Sequence, residues 1–164
     1  MENQKNDNLN LLEAVVQNTE MGKNTLEQIV PMTDDTQFKA ELLRQRGYGV
    51  SLALMAVKPK ISLVSCQIRY EEMRVAGTTP RATDPAHHNK IIDQIVSNLG
   101  VLEASGMFDE IALYDRSQTC LFPREGAGDS AEEALRTILF GPWTSEERRH
   151  YNELKAKLEQ LRRK

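Results

Sequence analysis

The feature that most constrains this chain is the run Val50–Val57, Val-Ser-Leu-Ala-Leu-Met-Ala-Val. It has strand length and lacks the apolar–polar alternation of a strand with one wet face. That pattern predicts a strand buried on both faces, as in a parallel sheet. Lys58-Pro59 ends the run. Proline has no N–H to give to a ladder, but its fixed φ suits the first position of a helix. A helix is therefore predicted over about 60–73, with Ile61, Val64 and Ile68 facing inward.

The same punctuation recurs downstream. After a polar loop from Ala76 to Thr83, Asp84-Pro85 is a capping residue followed by a first-turn proline. The helix it opens carries Ile91, Ile92, Ile95, Val96, Leu99 and Leu102 on one face and closes at Ser105-Gly106. Ile111–Tyr114 reads as a short strand and Cys120–Phe122 as another. Ser130-Ala131-Glu132-Glu133 and Thr144-Ser145-Glu146-Glu147 both have capping-box spacing. The first opens a helix with Leu135, Ile138 and Leu139. The second opens a terminal helix with Tyr151, Leu154, Leu158 and Leu161 in line.

Ahead of the strand, Asn10 and Glu13 have the spacing of a third capping box. Leu12, Val15, Val16, Thr19, Leu26, Ile29 and Val30 follow with helical spacing up to Pro31. Thr33 or Asp34 then caps a short helix with Phe38, Leu42 and Leu43. Residues 1–45 thus read as an N-terminal helical hairpin and residues 46–164 as an α/β region. Two or three strands are few for a doubly wound sheet, so the sheet is expected to be incomplete.

Composition narrows the function classes. A net charge of −3 gives no reason to expect nucleic-acid binding. No apolar run reaches transmembrane length, and the polar start Met1–Asp7 lacks the order of a signal peptide. Cys66 and Cys120 are the only cysteines and are expected to be reduced, in a cytoplasmic protein.

Phosphate chemistry of the P-loop kind needs Gly-x-x-x-x-Gly-Lys-Ser/Thr between a strand and a helix. The nearest string, Met21-Gly22-Lys23-Asn24-Thr25, has Gln17 at the first glycine position and Asn24 after the lysine. It reads as a chance match. Arg69, late in its helix, and Arg81, in the loop beyond, are the other plausible phosphate ligands. Spacing alone favours a plainer role: Arg69 paired with Glu72 three residues on, and Arg81 simply exposed. Glu71 and Glu72 suit a solvated helix face as well as they suit catalysis. His87 and His88 point about 100° apart on a helix and do not share one metal ion. No catalytic or metal-binding residues are assigned.

Longer stretches carry more. Arg46-Gly47-Tyr48-Gly49-Val50 through Val57-Lys58-Pro59 resembles the zeta toxin family. So do Ile68-Arg69-Tyr70-Glu71-Glu72-Met73, Arg81-Ala82-Thr83 with His87-His88, Ile111–Arg116, and Leu139-Phe140-Gly141-Pro142-Trp143. The resemblance implies a partial P-loop-kinase-like parallel sheet with flanking helices over residues 46–164, the first 45 being unrelated to the family. It implies ATP-dependent phosphorylation of UDP-N-acetylglucosamine, with ATP and Mg2+ as cofactors and a small helical antitoxin as partner. By the same resemblance Arg69 and Arg81 contact ATP phosphates, and Arg116 closes over the adenine. By the same resemblance the half bearing the phosphate loop is expected to be absent from this chain. Kinase activity is therefore expected to be lost or reduced. The alternative is a non-catalytic module that binds an antitoxin-like or toxin partner, or self-associates.

Overall fold

The computed structural model describes residues 34–164. The helix expected over Leu12–Val30 lies outside them, as does the choice of cap at Thr33 or Asp34. The elements in order are α1 (Asp34–Gln45), β1 (Ser51–Met55), α2 (Pro59–Val75), α3 (Pro85–Ala104), β2 (Glu110–Tyr114), β3 (Cys120–Phe122), α4 (Ala131–Phe140) and α5 (Ser145–Arg162). No helix among them is long and apolar enough to cross a membrane.

Local signals explain most boundaries. Gly47 takes φ 83°, and the N–H groups of Gly47 and Tyr48 bond the carbonyls of Arg44 and Leu43. That double closure ends α1 and needs a residue tolerant of positive φ. Pro59 opens α2. Asp84 caps α3, its carboxylate accepting from Ala86 N–H at 3.0 Å. Thr144 and Glu147 form a complete reciprocal box on α5, at 3.1 and 2.7 Å.

The three strands lie in the order β1-β2-β3. β1 and β2 are parallel, with Leu52 opposite Ile111 and Leu54 opposite Leu113. β3 is antiparallel to β2, so the sheet is mixed, and the expected parallel pairing is that of β1 with β2. A short turn joins β2 to β3, and only an antiparallel neighbour can be reached that way. Leu52, Leu54, Ile111 and Leu113 face a core made with Val96 and Leu99 of α3 and Ala131, Ala134, Leu135 and Leu139 of α4. On the opposite face Ser51, Ala53 and Met55 are exposed. The expectation of a strand buried on both faces is therefore corrected. Helices cover one face of β1, and its outer edge has no neighbour among the described residues.

A second cluster joins α2 to α5. Val64 and Ile68 pack on Leu158, with Tyr151, Leu154 and Leu161 around them. Polar links set the two helices parallel. Lys58 Nζ donates to Gly141 O at 2.9 Å where both begin, and Arg74 donates to Leu161 O at 3.1 Å where both end.

Candidate phosphate-binding arginines

Arg69 stands two helical turns beyond Ser62 and so shares its face of α2. Ser62 Oγ lies 3.1 Å from Nε2 of buried His88 in the first turn of α3. The Arg69 face of α2 is thus the one turned toward the start of α3. Both arginines are exposed, and neither has an ion pair or side-chain hydrogen bond among the described residues.

The expected Arg69–Glu72 pair does not form. Glu72 is taken by Lys157 of α5 at 2.6 Å. Glu71 is held by Arg74 at 2.6 Å and lies 3.6 Å from Arg162. Both carboxylates therefore clamp α2 to α5, which accounts for them without catalysis and leaves Arg69 free.

Arg116 belongs to a different place, the turn beyond the carboxyl end of β2. Asp115 organises that turn: its Oδ1 accepts from Ser117 N–H at 2.8 Å, Ser117 Oγ at 2.6 Å and Thr119 N–H at 2.9 Å. The Ser117 hydroxyl, more than any other group, holds the Asp115 carboxyl below its ordinary value. Gln118 accepts a left-handed φ of 65° to close the turn. Arg116 itself projects exposed and unpaired among the described residues. Arg69 thus lies late in α2 and Arg81 in the connection that follows it, while Arg116 stands apart, in the β2–β3 turn.

His87 is exposed, and the Nδ1 atom of His88 has no hydrogen-bond partner among the described residues. No group of three His, Cys, Asp or Glu side chains converges there to hold a metal ion. A guanidinium group has the charge and fork geometry to meet phosphate oxygens. Sequence reasoning missed Lys58, which is 3% exposed and bonded only to a backbone carbonyl. Its sole signal was Lys-Pro at a strand end, which reads as a simple terminator.

Fold and site together define an open-sheet α/β protein, the class in which ligands bind beyond the carboxyl ends of parallel strands. The profile of the zeta toxin family matches residues 2–127, and the chain belongs to that family. The match takes in residues 2–45, which the motif-based boundary set outside the family. The chain is 38% identical over 110 residues to Toxin PezT of Streptococcus pneumoniae serotype 4, covering 66% of this chain and 44% of that protein. It is 31% identical over 116 residues to Toxin zeta of Streptococcus pyogenes, covering 68% and 40%. A solved chain from the PezAT chromosomal toxin-antitoxin system of Streptococcus pneumoniae superposes with a TM-score of 0.78 at 29% identity, over 94% of this chain and 61% of that one. The partial P-loop-kinase-like α/β fold read from the sequence is the fold present. The chain spans less than half the length of these curated relatives.

Proposed function

We propose that this chain is a zeta-toxin unit that keeps an arginine site for nucleotide phosphates but has lost most or all kinase activity. The observation that carries the reading is the pair of exposed guanidinium groups, Arg69 late in α2 and Arg81 in the α2–α3 connection, both without a partner among the described residues. Guanidinium forks match phosphate oxygens in geometry and charge. The family's reaction would be transfer of the ATP γ-phosphoryl group to UDP-N-acetylglucosamine. Such transfer depends on positioning and on neutralising charge around the phosphates. Two arginines, with Arg116 as a third cation toward the base, supply a fraction of that. The chain carries no Gly-x-x-x-x-Gly-Lys-Ser/Thr sequence to cradle the phosphates and no lysine placed by one. ATP with Mg2+ is the cofactor this reading implies, in a cytoplasmic setting.

A second reading makes the chain an interaction module for an antitoxin or for a toxin partner. It is favoured by the edge of β1 that has no neighbour among the described residues and by the exposed Ala53 and Met55, since an unpaired edge is a template for another chain.

Calorimetry with ATP and Mg2+ separates the outcomes. The wild type is expected to bind ATP weakly and to show no phosphorylation of UDP-N-acetylglucosamine. Loss of one charge-assisted contact is about 1.5–3 kcal/mol, so Arg69→Ala or Arg81→Ala should weaken binding by roughly tenfold to a hundredfold. Equal binding by wild type and both variants would refute the arginine site. Ready turnover would refute the loss of activity.

A further inference from the structure

The parallel pairing of α2 and α5 places their first turns side by side, and a cleft of about 260 Å³ opens there. It is lined by Lys60 of α2 and by Trp143, Arg148, Tyr151 and Asn152 at the start of α5. The Trp143 and Tyr151 rings meet edge to face with centroids 5.4 Å apart. Lys155 Nζ sits 5.8 Å from the Tyr151 centroid and adds positive charge beside the cleft.

None of the five lining side chains spends its polar atoms elsewhere among the described residues. Lys60 and Arg148 have no carboxylate partner, and the Trp143 indole N–H, Tyr151 hydroxyl and Asn152 amide make no hydrogen bond. The nearby acids are directed away: Glu147 turns back onto Thr144 N–H at 2.7 Å, and Glu146 lies 3.9 Å from Arg149. Among the described residues no carboxylate lines the cleft. Two unneutralised cations beside an aromatic pair make a site for a ligand that joins negative charge to a flat ring. Stacking on an aromatic side chain contributes about 1–3 kcal/mol per base, and an Arg–phosphate contact is worth about as much. The volume suits one ring and its phosphates; an extended peptide would need a longer groove.

We propose that this cleft binds a nucleoside phosphate, as a site separate from Arg69 and Arg81. The Lys60 and Arg148 side chains engage the phosphates, Trp143 and Tyr151 engage the base, and Asn152 bonds a polar edge of it. Arg69 is offset by about 180° around α2 from Lys60, so the two cations serve opposite sides of that helix.

Trp143 is the chain's one tryptophan, so its fluorescence reports on the cleft alone. ADP and UDP titrated into the full chain should change that fluorescence saturably. Arg148→Ala and Lys60→Ala should each weaken binding at least tenfold, with circular dichroism unchanged because both side chains are exposed. Arg69→Ala should leave the titration as it was. Several outcomes would overturn the proposal: no saturable change, a loss on Arg69→Ala with Arg148→Ala unaffected, or inorganic phosphate or an acidic peptide binding as tightly as the nucleotide. Because the Arg69 variant tests the first site and the Arg148 variant the second, either site can fail alone.

Discussion

Glu103 offers a sharp test of how this fold is held together. It sits in the last turn of α3 and reaches the first turn of α4, 27 to 29 residues on. One carboxylate oxygen accepts from Ala131 N–H at 2.6 Å; the other accepts from Glu132 N–H and Ser130 Oγ, both at 3.1 Å. Ser130 Oγ in turn accepts from Glu133 N–H at 3.2 Å. The N–H groups that open α4 are thus satisfied largely by a side chain from another helix. A carboxylate also complements the positive end of the helix. Capping contacts contribute about 0.5–2 kcal/mol, and hydrogen bonds to a charged group about 1.5–3 kcal/mol. Glu103 is half-buried, so solvent screens part of this and water replaces part of what is lost. Glu103→Ala should therefore cost about 2 kcal/mol. Glu103→Gln keeps one acceptor and loses the charge, and should cost about 1 kcal/mol. Urea unfolding followed by circular dichroism should show the midpoint falling in that order with the slope unchanged. Glu132→Ala, which removes the Arg136 pair and the Glu132 side chain lying against Gly100, should cost less than Glu103→Ala, about 1 kcal/mol or under. If Glu103→Ala were no worse than Glu132→Ala, the cross-helix cap would be without energetic consequence and the reasoning would fail.

Three further perturbations follow from the same contacts. A Cβ at Gly141 would overlap the Thr137 carbonyl oxygen, which is backbone and cannot swing aside, so Gly141→Ala should destabilise by about 1–3 kcal/mol. An unchanged melting temperature would show that this approach is not tight. Leu135 of α4 is fully buried in the core formed with α3 and the sheet, and Leu135→Ala should cost about 2–5 kcal/mol in chemical denaturation; a loss under about 1 kcal/mol would contradict its place in the core. The Asp109 carboxyl is held below its ordinary value of 3.8, chiefly by the Arg44 side chain and then by Val50 N–H. Its folded value is the lower one, so its stabilisation is fully present above pH 3.8 and lost as pH falls through the folded value. Stability of Asp109→Asn should therefore fall less steeply than wild type in that acid range, and parallel curves would exclude the linkage.

Segments whose shape depends on their own neighbours were legible in advance. Pro59, Asp84-Pro85, Ser130 and Thr144 mark helix starts because capping and proline effects act within three or four residues. The stripes of α3 and α5 were legible because a helix repeats its faces at short range. β1 was read one step too far. Its apolar run says that both faces tolerate burial, but whether a second layer arrives is settled by other parts of a chain.

The candidate site divides the same way. Arg69 and Arg81 became visible through resemblance to a family, and spacing by itself favoured an Arg69–Glu72 pair. A helix-local rule ranks partners three or four residues away, but Lys157, 85 residues on, takes Glu72 at 2.6 Å. The bond from Lys58 to Gly141 spans 83 residues, and the cleft joins Lys60 to Arg148. Over residues 59–164, sequence by itself determined the helices, their starts and their apolar faces, because those follow from hydrogen bonds and rotations counted within a few residues. Only the tertiary structure decided which charges neutralise one another and which remain free for a ligand, because Coulombic pairing depends on distance in space, and that distance is set by how the helices pack.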